Sequence, residues 1–195
     1  MNMEKNIENI FFKHVETHKT VLSNLGTVKN EVLKSAKLIF SSLQEGKKII
    51  LCGNGGSASD AQHIAAEFIG RYKQERASLP AIALNTDTSA LTAIANDYGY
   101  ENVFKRQFEG LFNEGDVLVT FTTSGNSENI IKVLESANQL GCKSICFTGE
   151  SGGRCSELCS IPIKIPSETT AFIQEMHIIC GHIICDIIDN SIISK

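Results

Sequence analysis

The chain has 195 residues, with 18 Lys and Arg against 22 Asp and Glu, and its net charge of -4 comes from both signs interspersed. That balance excludes a polybasic nucleic-acid-binding surface, and no basic run supplies one locally. A chain of this length can bury one substantial core, so one domain over residues 1–195 is expected. Met1 to Phe12 has no basic region ahead of an apolar stretch and does not read as a signal peptide. Seven cysteines, an odd number, fit a reducing cytoplasm. Cys155 and Cys159 have a metal-like spacing, but no second pair accompanies them and no site is expected there.

In chain order, Ile7, Ile10, Phe11, Val15, His18 and Leu22 fall at helical intervals and predict a first helix from Glu4 to Leu22. His14 and His18 lie four apart, a spacing that can chelate metal. With no carboxylate or glycine loop beside them, they read as helix-surface histidines. Val28, Val32, Ala36, Ile39 and Leu43 mark a second helix, which Gly46 ends. These two helices occupy residues 1–45, and an α/β core is expected over 46–195.

Lys48-Ile49-Ile50-Leu51-Cys52 is a short apolar run bounded by glycine, as in a strand buried on both faces. A helix from Ser57 to Arg71 follows. The alternation continues with strand Ala81 to Leu84 and helix Ser89 to Ala95, then strand Val117 to Phe121 and helix Glu128 to Leu140. Next come strand Ser144 to Phe147, a short helix over Arg154 to Leu158, strand Ile161 to Ile165 and a long C-terminal helix. Strands alternating with helices predict a doubly wound, five-stranded parallel α/β sheet behind two extra N-terminal helices. The most apolar stretch, Met176 to Ile193, is interrupted by His182, Asp186, Asp189 and Asn190. It reads as a buried or oligomer-forming helix, not a membrane span.

In such sheets ligands bind beyond the carboxyl ends of the strands. Three of those ends are rich in small polar residues: Gly53 to Ser57, Thr122 to Ser127 and Thr148 to Gly153. Thr122, Thr123, Ser124 and Ser127 bring four hydroxyls to a helix N-terminus, a neutral cradle for a phosphate dianion. The plainer reading is that Asn126 or Ser127 caps the helix, but a cap explains one hydroxyl, not four. Gly53-Asn54-Gly55-Gly56-Ser57-Ala58 fits G-x-G-x-x-A, the loose dinucleotide fingerprint. The following strand ends in Asn85-Thr86-Asp87, over thirty residues from Gly53, whereas the ribose-binding acid is expected about twenty on, so nicotinamide is a minor alternative.

His63 and Glu67 are one turn apart on one helix face, a spacing that suits two ligands of one metal ion or a simple hydrogen bond. Gln174 and His182 are eight apart, roughly 12 Å along an unbroken helix. Either that helix is distorted, with Gly181 a candidate, or the two residues serve different sites across a subunit boundary. The second reading fits an apolar helix that needs a large covering surface.

Cys52-Gly53-Asn54-Gly55-Gly56-Ser57, Asp60-Ala61-Gln62-His63, Glu67, Gly70-Arg71-Tyr72, Asn96-Asp97, Thr123-Ser124-Gly125-Asn126-Ser127 and Ile173-Gln174-Glu175-Met176-His177 resemble the bacterial phosphoheptose isomerases of the sugar isomerase (SIS) superfamily. The resemblance runs from the second helix to Asp189. It implies a flavodoxin-like SIS fold and a cytoplasmic homotetramer with intersubunit active sites. The implied reaction turns sedoheptulose 7-phosphate, a phosphorylated seven-carbon sugar, into D-glycero-D-manno-heptose 7-phosphate for lipopolysaccharide or capsule, with neither nucleic acid nor membrane as partner. One Zn2+ per subunit would be held by His63, Glu67, Gln174 and His182. Substrate would meet Asn54, Gly55, Gly56, Ser57, Glu67, Asn96, Asp97, Thr122, Thr123, Ser124, Ser127 and Gln174. Glu67 and His182 would be the acid–base pair of an enediol mechanism. Thr122 stands where Ser is common, which keeps a hydroxyl. Phe172 stands where many relatives have Arg, which removes a cation beside Gln174. Rival readings are a non-catalytic SIS adaptor for a replication initiator, similar over Leu79 to Asp87, and an isomerase or sensor of another phosphosugar.

Overall fold

Five short runs of β-branched and other apolar residues form one sheet in the structure, a computed structural model that describes residues 3–193. They are β1 (Ile49–Gly53), β2 (Ala81–Ala83), β3 (Val117–Phe121), β4 (Lys143–Thr148) and β5 (Ile161–Lys164). All pairings are parallel, in the order β2-β1-β3-β4-β5. The helices are α1 (Met3–Ser23), α2 (Lys29–Gln44), α3 (Gly56–Ile69), α4 (Thr88–Tyr98), α5 (Val103–Leu111), α6 (Glu128–Gln139), α7 (Cys155–Leu158) and α8 (Thr170–Ile193). The expected doubly wound α/β fold is present, with the switch of strand order between β1 and β3.

Every residue of β1 and β3 is buried, because helices cover both faces and successive side chains point to opposite sides. Ile49, Leu51, Val117, Val119, Phe121, Ile145 and Phe147 join one core, built with α2, α3 and α8. Ile50, Cys52, Leu118 and Cys146 join the other, built with α5, α6 and α7. The sequence pattern predicts no helix between α4 and β3, where the structure has α5. That helix buries Val103, Phe104 and Phe108 completely. Phe104 and Phe108 keep the four-residue helical interval, but only nine residues carry it, too few for a periodic signal to stand out.

In α8, Met176, Cys180, Ile184 and Ile188 recur every four residues and are buried against α2 and α3. The helix is long and apolar enough to cross a membrane by length and composition, yet half of that stretch is buried inside the fold. Helices α3 and α8 run side by side in the same direction. A Cβ added at Gly56 would stand 2.5 Å from Gln174 Nε2, and one at Gly181 would stand 2.6 Å from Ile64 Cδ1. Further along, Arg76 Nε donates to Asp189 Oδ1 at 2.7 Å, with both side chains buried. Asp189 also accepts from the backbone N–H groups of Lys73 and Gln74, at 2.9 and 3.1 Å. The same guanidinium donates to the carbonyls of Glu67 and Phe68, at 2.8 and 3.0 Å. It thereby satisfies acceptors that the last turn of α3 leaves open.

Two buried carboxyls on these helices respond to pH in opposite senses. Burial pushes Asp189 up, but hydrogen bonds from Arg76, Lys73 and Gln74 outweigh it and hold the group below the usual 3.8. Its stabilisation is therefore present at neutral pH and lost as the pH falls through that lowered value. Asp60, on α3, is 7% exposed, and its Oδ2 has no hydrogen-bond partner among the described residues. Burial raises it from 3.8 to about 7. The folded state thus holds a proton that the unfolded chain releases, and stability present below pH 3.8 is lost as the pH rises towards 7. Asp189→Ala, which leaves Arg76 buried and unpaired, should cost about 3–5 kcal/mol in urea unfolding at neutral pH. Asp60→Asn should lose less stability than the parent between pH 4 and 7; parallel pH profiles of melting temperature would refute the buried, proton-holding carboxyl.

Candidate active site

Because β1, β3 and β4 are neighbours, the three polar strand ends found in the sequence lie side by side. After β3, Thr122 is buried; its Oγ1 accepts from Gly125 N–H at 3.3 Å and stands 3.4 Å from Ser127 Oγ. Ser124 Oγ accepts from Asn126 N–H at 3.1 Å. Gly125 has φ +67°, and an added Cβ would stand 2.1 Å from the Gly152 carbonyl oxygen. Only glycine permits that approach of the two loops. Ser127 occupies the N-cap position of α6, but its hydroxyl makes no cap hydrogen bond. The plain capping reading is therefore not what the hydroxyl does. The helix N-terminus lacks a side-chain cap where an anion would be stabilised by the macrodipole.

After β1, the Asn54 and Asn129 side chains exchange two amide hydrogen bonds, at 2.8 and 2.9 Å. Tyr100 OH donates to Asn54 Oδ1 at 3.1 Å. These contacts fix the orientation of Asn54 between the β1 and β3 loops. Ser57 is 3% exposed in the first turn of α3, and Gln174 from α8 covers Gly56. Asn96 and Asp97 lie exposed in the last turn of α4, hydrogen-bonded to each other at 2.8 Å. The contact from that part of the chain to the β1 loop is made by Tyr100.

A second group forms further along α3 and α8. His63 Nε2 lies 3.1 Å from Glu67 Oε1 and 3.0 Å from His182 Nε2. The three ligand-type atoms all lie within 4.8 Å of one another, a set that can hold a divalent ion. Tyr72 stacks on His182 with ring centroids 5.4 Å apart. Burial, and then the neighbouring His63, holds His182 below the usual imidazole value of 6.5; Glu67 opposes this and Lys73 adds to it. Gln174 is not in this group. α8 is one continuous helix through Gly181, so Gln174 sits about 12 Å from His182 along the axis. Likewise, ten residues of α3 separate Ser57 from Glu67, about 15 Å.

Several polar residues here were not singled out from the sequence. Asn129 is 3% exposed; an Asn on the apolar face of α6 was the available signal. Tyr100 carried none, because its reach depends on the turn at Gly99. His14 and His18 do have a carboxylate partner after all: Glu175 Oε2 lies 2.6 Å from His18 Nδ1, and Oε1 lies 3.5 Å from His14 Nε2. The His14 ring also packs on Phe172, with centroids 4.7 Å apart. α1 thus sets the His14 imidazole on Phe172, the position where the resemblance implies Arg, and His18 on Glu175 one turn further. His177 is buried against Phe121 and Phe147, with Nε2 3.2 Å from the Thr148 carbonyl oxygen. Burial lowers it to about 4, so it is a neutral core histidine.

Residues 13–149 match the SIS domain family. A phosphoheptose isomerase of Aliarcobacter butzleri is 54% identical over 182 residues, covering 93% of this chain and 95% of that protein. One from Helicobacter pylori is 51% identical over 190 residues and covers 97% of both. The solved phosphoheptose isomerase of Neisseria gonorrhoeae superposes with a TM-score of 0.89 at 39% identity, covering 94% of this chain and 99% of that one. The Francisella tularensis enzyme gives 0.89 at 36% identity, covering 97% and 100%. The chain belongs to the phosphoheptose isomerases, within the SIS domain family.

Proposed function

We propose that this protein converts sedoheptulose 7-phosphate to D-glycero-D-manno-heptose 7-phosphate by proton transfer through an enediol. The observation that carries the reading is the convergence of Glu67 and His182, from separate helices, beside a fold whose strand ends form a neutral phosphate cradle. The phosphate is taken by Ser57 and the Thr122 to Ser127 loop, with Asn54, Gly55 and Gly56 along the sugar and Asn96 and Asp97 on the adjoining wall. A base removes a proton from C1, next to the C2 carbonyl; the C1–C2 double bond forms and the carbonyl oxygen gains a proton. The O1 proton then leaves as C1 becomes the carbonyl, and C2 is protonated. Glu67 and His182 are the acid–base pair. The lowered value of His182 leaves it neutral near pH 7 and able to accept a proton.

His63, Glu67 and His182 offer the nitrogen and oxygen donors that zinc takes. When bound there, Zn2+ supplies positive charge that polarises a carbonyl or hydroxyl. Within one chain, the cradle and this trio stand at opposite ends of α3, with roughly 15 Å of helix between Ser57 and Glu67. The reading this supports is a homotetramer in which the cradle of one subunit, with its Gln174, faces the trio of another. Gln174 then reaches the ion and substrate across that boundary. The product supplies heptose for lipopolysaccharide or capsule in the cytoplasm.

Incubation of the zinc-loaded protein with sedoheptulose 7-phosphate in D2O should yield the aldose, with deuterium at C2 visible by NMR. Aldose without deuterium would sink the solvent-exchanged enediol. Glu67→Gln and His182→Ala should each lower kcat by roughly a hundredfold or more while the assembly stays intact. Ser124→Ala with Ser127→Ala should raise KM for the phosphosugar. Mixing Glu67→Gln subunits with Ser124→Ala/Ser127→Ala subunits tests the shared site. At low substrate concentration hybrid assemblies should be more active than either parent, and no gain would place the whole site in one chain.

A further inference from the structure

Cys146, Cys155 and Cys159 form a thiol cluster beneath the phosphate loop that the isomerisation does not use. Cys146 lies in the middle of β4, fully buried, on the sheet face that α7 covers. Cys155 and Cys159 flank that single helical turn, and Cys159 N–H donates to the Cys155 carbonyl at 3.1 Å. Cys155 is fully buried, whereas Cys159 is only half-buried, packed against the same cluster. Ser160, next to Cys159, donates its N–H to the Ser144 carbonyl at 3.0 Å, and Ser144 shares a sheet face with Cys146 two residues on. All three cysteines are free in the structure.

This cluster is tied to the cradle by the backbone. Cys155 N–H donates to the Gly125 carbonyl at 2.9 Å, and Arg154 N–H donates to Asn126 Oδ1 at 3.1 Å. Gly153 packs on Gly125 so closely that an added Cβ would stand 2.6 Å from its carbonyl oxygen. Whatever shifts α7 therefore shifts Thr122 to Ser127.

We propose that Cys159 and Cys146 are an oxidation site for hydrogen peroxide, whose disulfide displaces α7 and weakens phosphosugar binding at the adjoining loop. The Cys159 thiolate attacks one peroxide oxygen; the O–O bond breaks, one water leaves, and Cys159 becomes a sulfenic acid. The Cys146 sulfur then attacks the Cys159 sulfur. The S–S bond forms as the S–O bond breaks, and the leaving hydroxide takes the thiol proton as a second water. Two thiols lose two electrons and one peroxide is reduced to two waters. Cys159 is the group attacked, because it is the member of the cluster that solvent reaches. The neighbouring Cys146 thiol first, then smaller backbone and Lys164 contributions, favour its thiolate against the cost of burial. Burial keeps Cys146 protonated until the sulfenic acid forms beside it. The effect on binding rests on the cradle reading above; the disulfide itself does not.

The test treats the full chain with hydrogen peroxide and reads the linkage and the kinetics separately. The intact mass should fall by about 2 Da, and tryptic peptides 144–154 and 155–164 should become linked. Cys155→Ser should keep the link and Cys159→Ser should lose it. KM for the phosphosugar should rise by roughly fivefold, with kcat moving less, and dithiothreitol should restore it. Absence of linked peptides in the parent protein, or a link that survives Cys159→Ser, would overturn the site. A complete disulfide with KM unmoved would overturn its coupling to the loop. A protein that forms the disulfide yet never turns over the heptose would instead count against the isomerase reading.

Discussion

The close parallel packing of α3 on α8 is the constraint on which the site depends. Three points fix it: Gly56 under Gln174, Gly181 under Ile64, and the buried Arg76–Asp189 pair beyond. At the first two, an added Cβ would meet the Gln174 amide or the Ile64 side chain, which would have to move from its place between the helices. At the third, two charges removed from water must stay together, since neither is tolerated alone. With both helices pinned in register, His182 meets His63 and Glu67; a slip of one turn would move it by about 5.4 Å and dissolve the group. The guanidinium that holds Asp189 also bonds the Glu67 carbonyl. The stability of the helix pair and the placement of the carboxylate are thus one structural fact.

The hydroxyl-rich loop after β3 is built on a different logic. It contains hydroxyls and an uncapped helix end, not cations, so it offers oriented dipoles that need no counter-charge nearby. Its shape depends on support from behind, where Gly125 lies against Gly152 and Gly153, and Asn129 and Tyr100 hold Asn54. Gly152, Gly153, Asn129 and Tyr100 all lie outside the 122–127 loop. A change in α7 or in the turn at Gly99 is therefore felt at the loop without touching it.

Much of the architecture was legible in the residues because both helices and strands here follow simple periods. A parallel strand covered on both faces must be apolar throughout, and the runs at Ile49 and Val117 announced themselves for that reason. Helix α5 was hidden, since nine residues with two aromatics at a helical interval do not outweigh their surroundings. The hydroxyls of Thr122 to Ser127 were read as a cradle from their number alone. That Ser127 leaves α6 uncapped required its side-chain position. His14 and His18 looked unsupported because their carboxylate, Glu175, lies 157 residues from His18 in sequence.

The sequence by itself determined the fold class, the strand-end loops and the kinds of group available for catalysis, because periodicity, glycine turns and residue chemistry are local properties. Only the tertiary structure decided which of those groups meet. It joined His63 and Glu67 to His182 and set Gln174 apart over Gly56. It also packed Cys146 and Cys159 into one cluster behind the 122–127 loop. Such meetings depend on how two helices and a sheet stack in space. Stacking is settled by close packing between residues far apart in the chain, which no local pattern encodes.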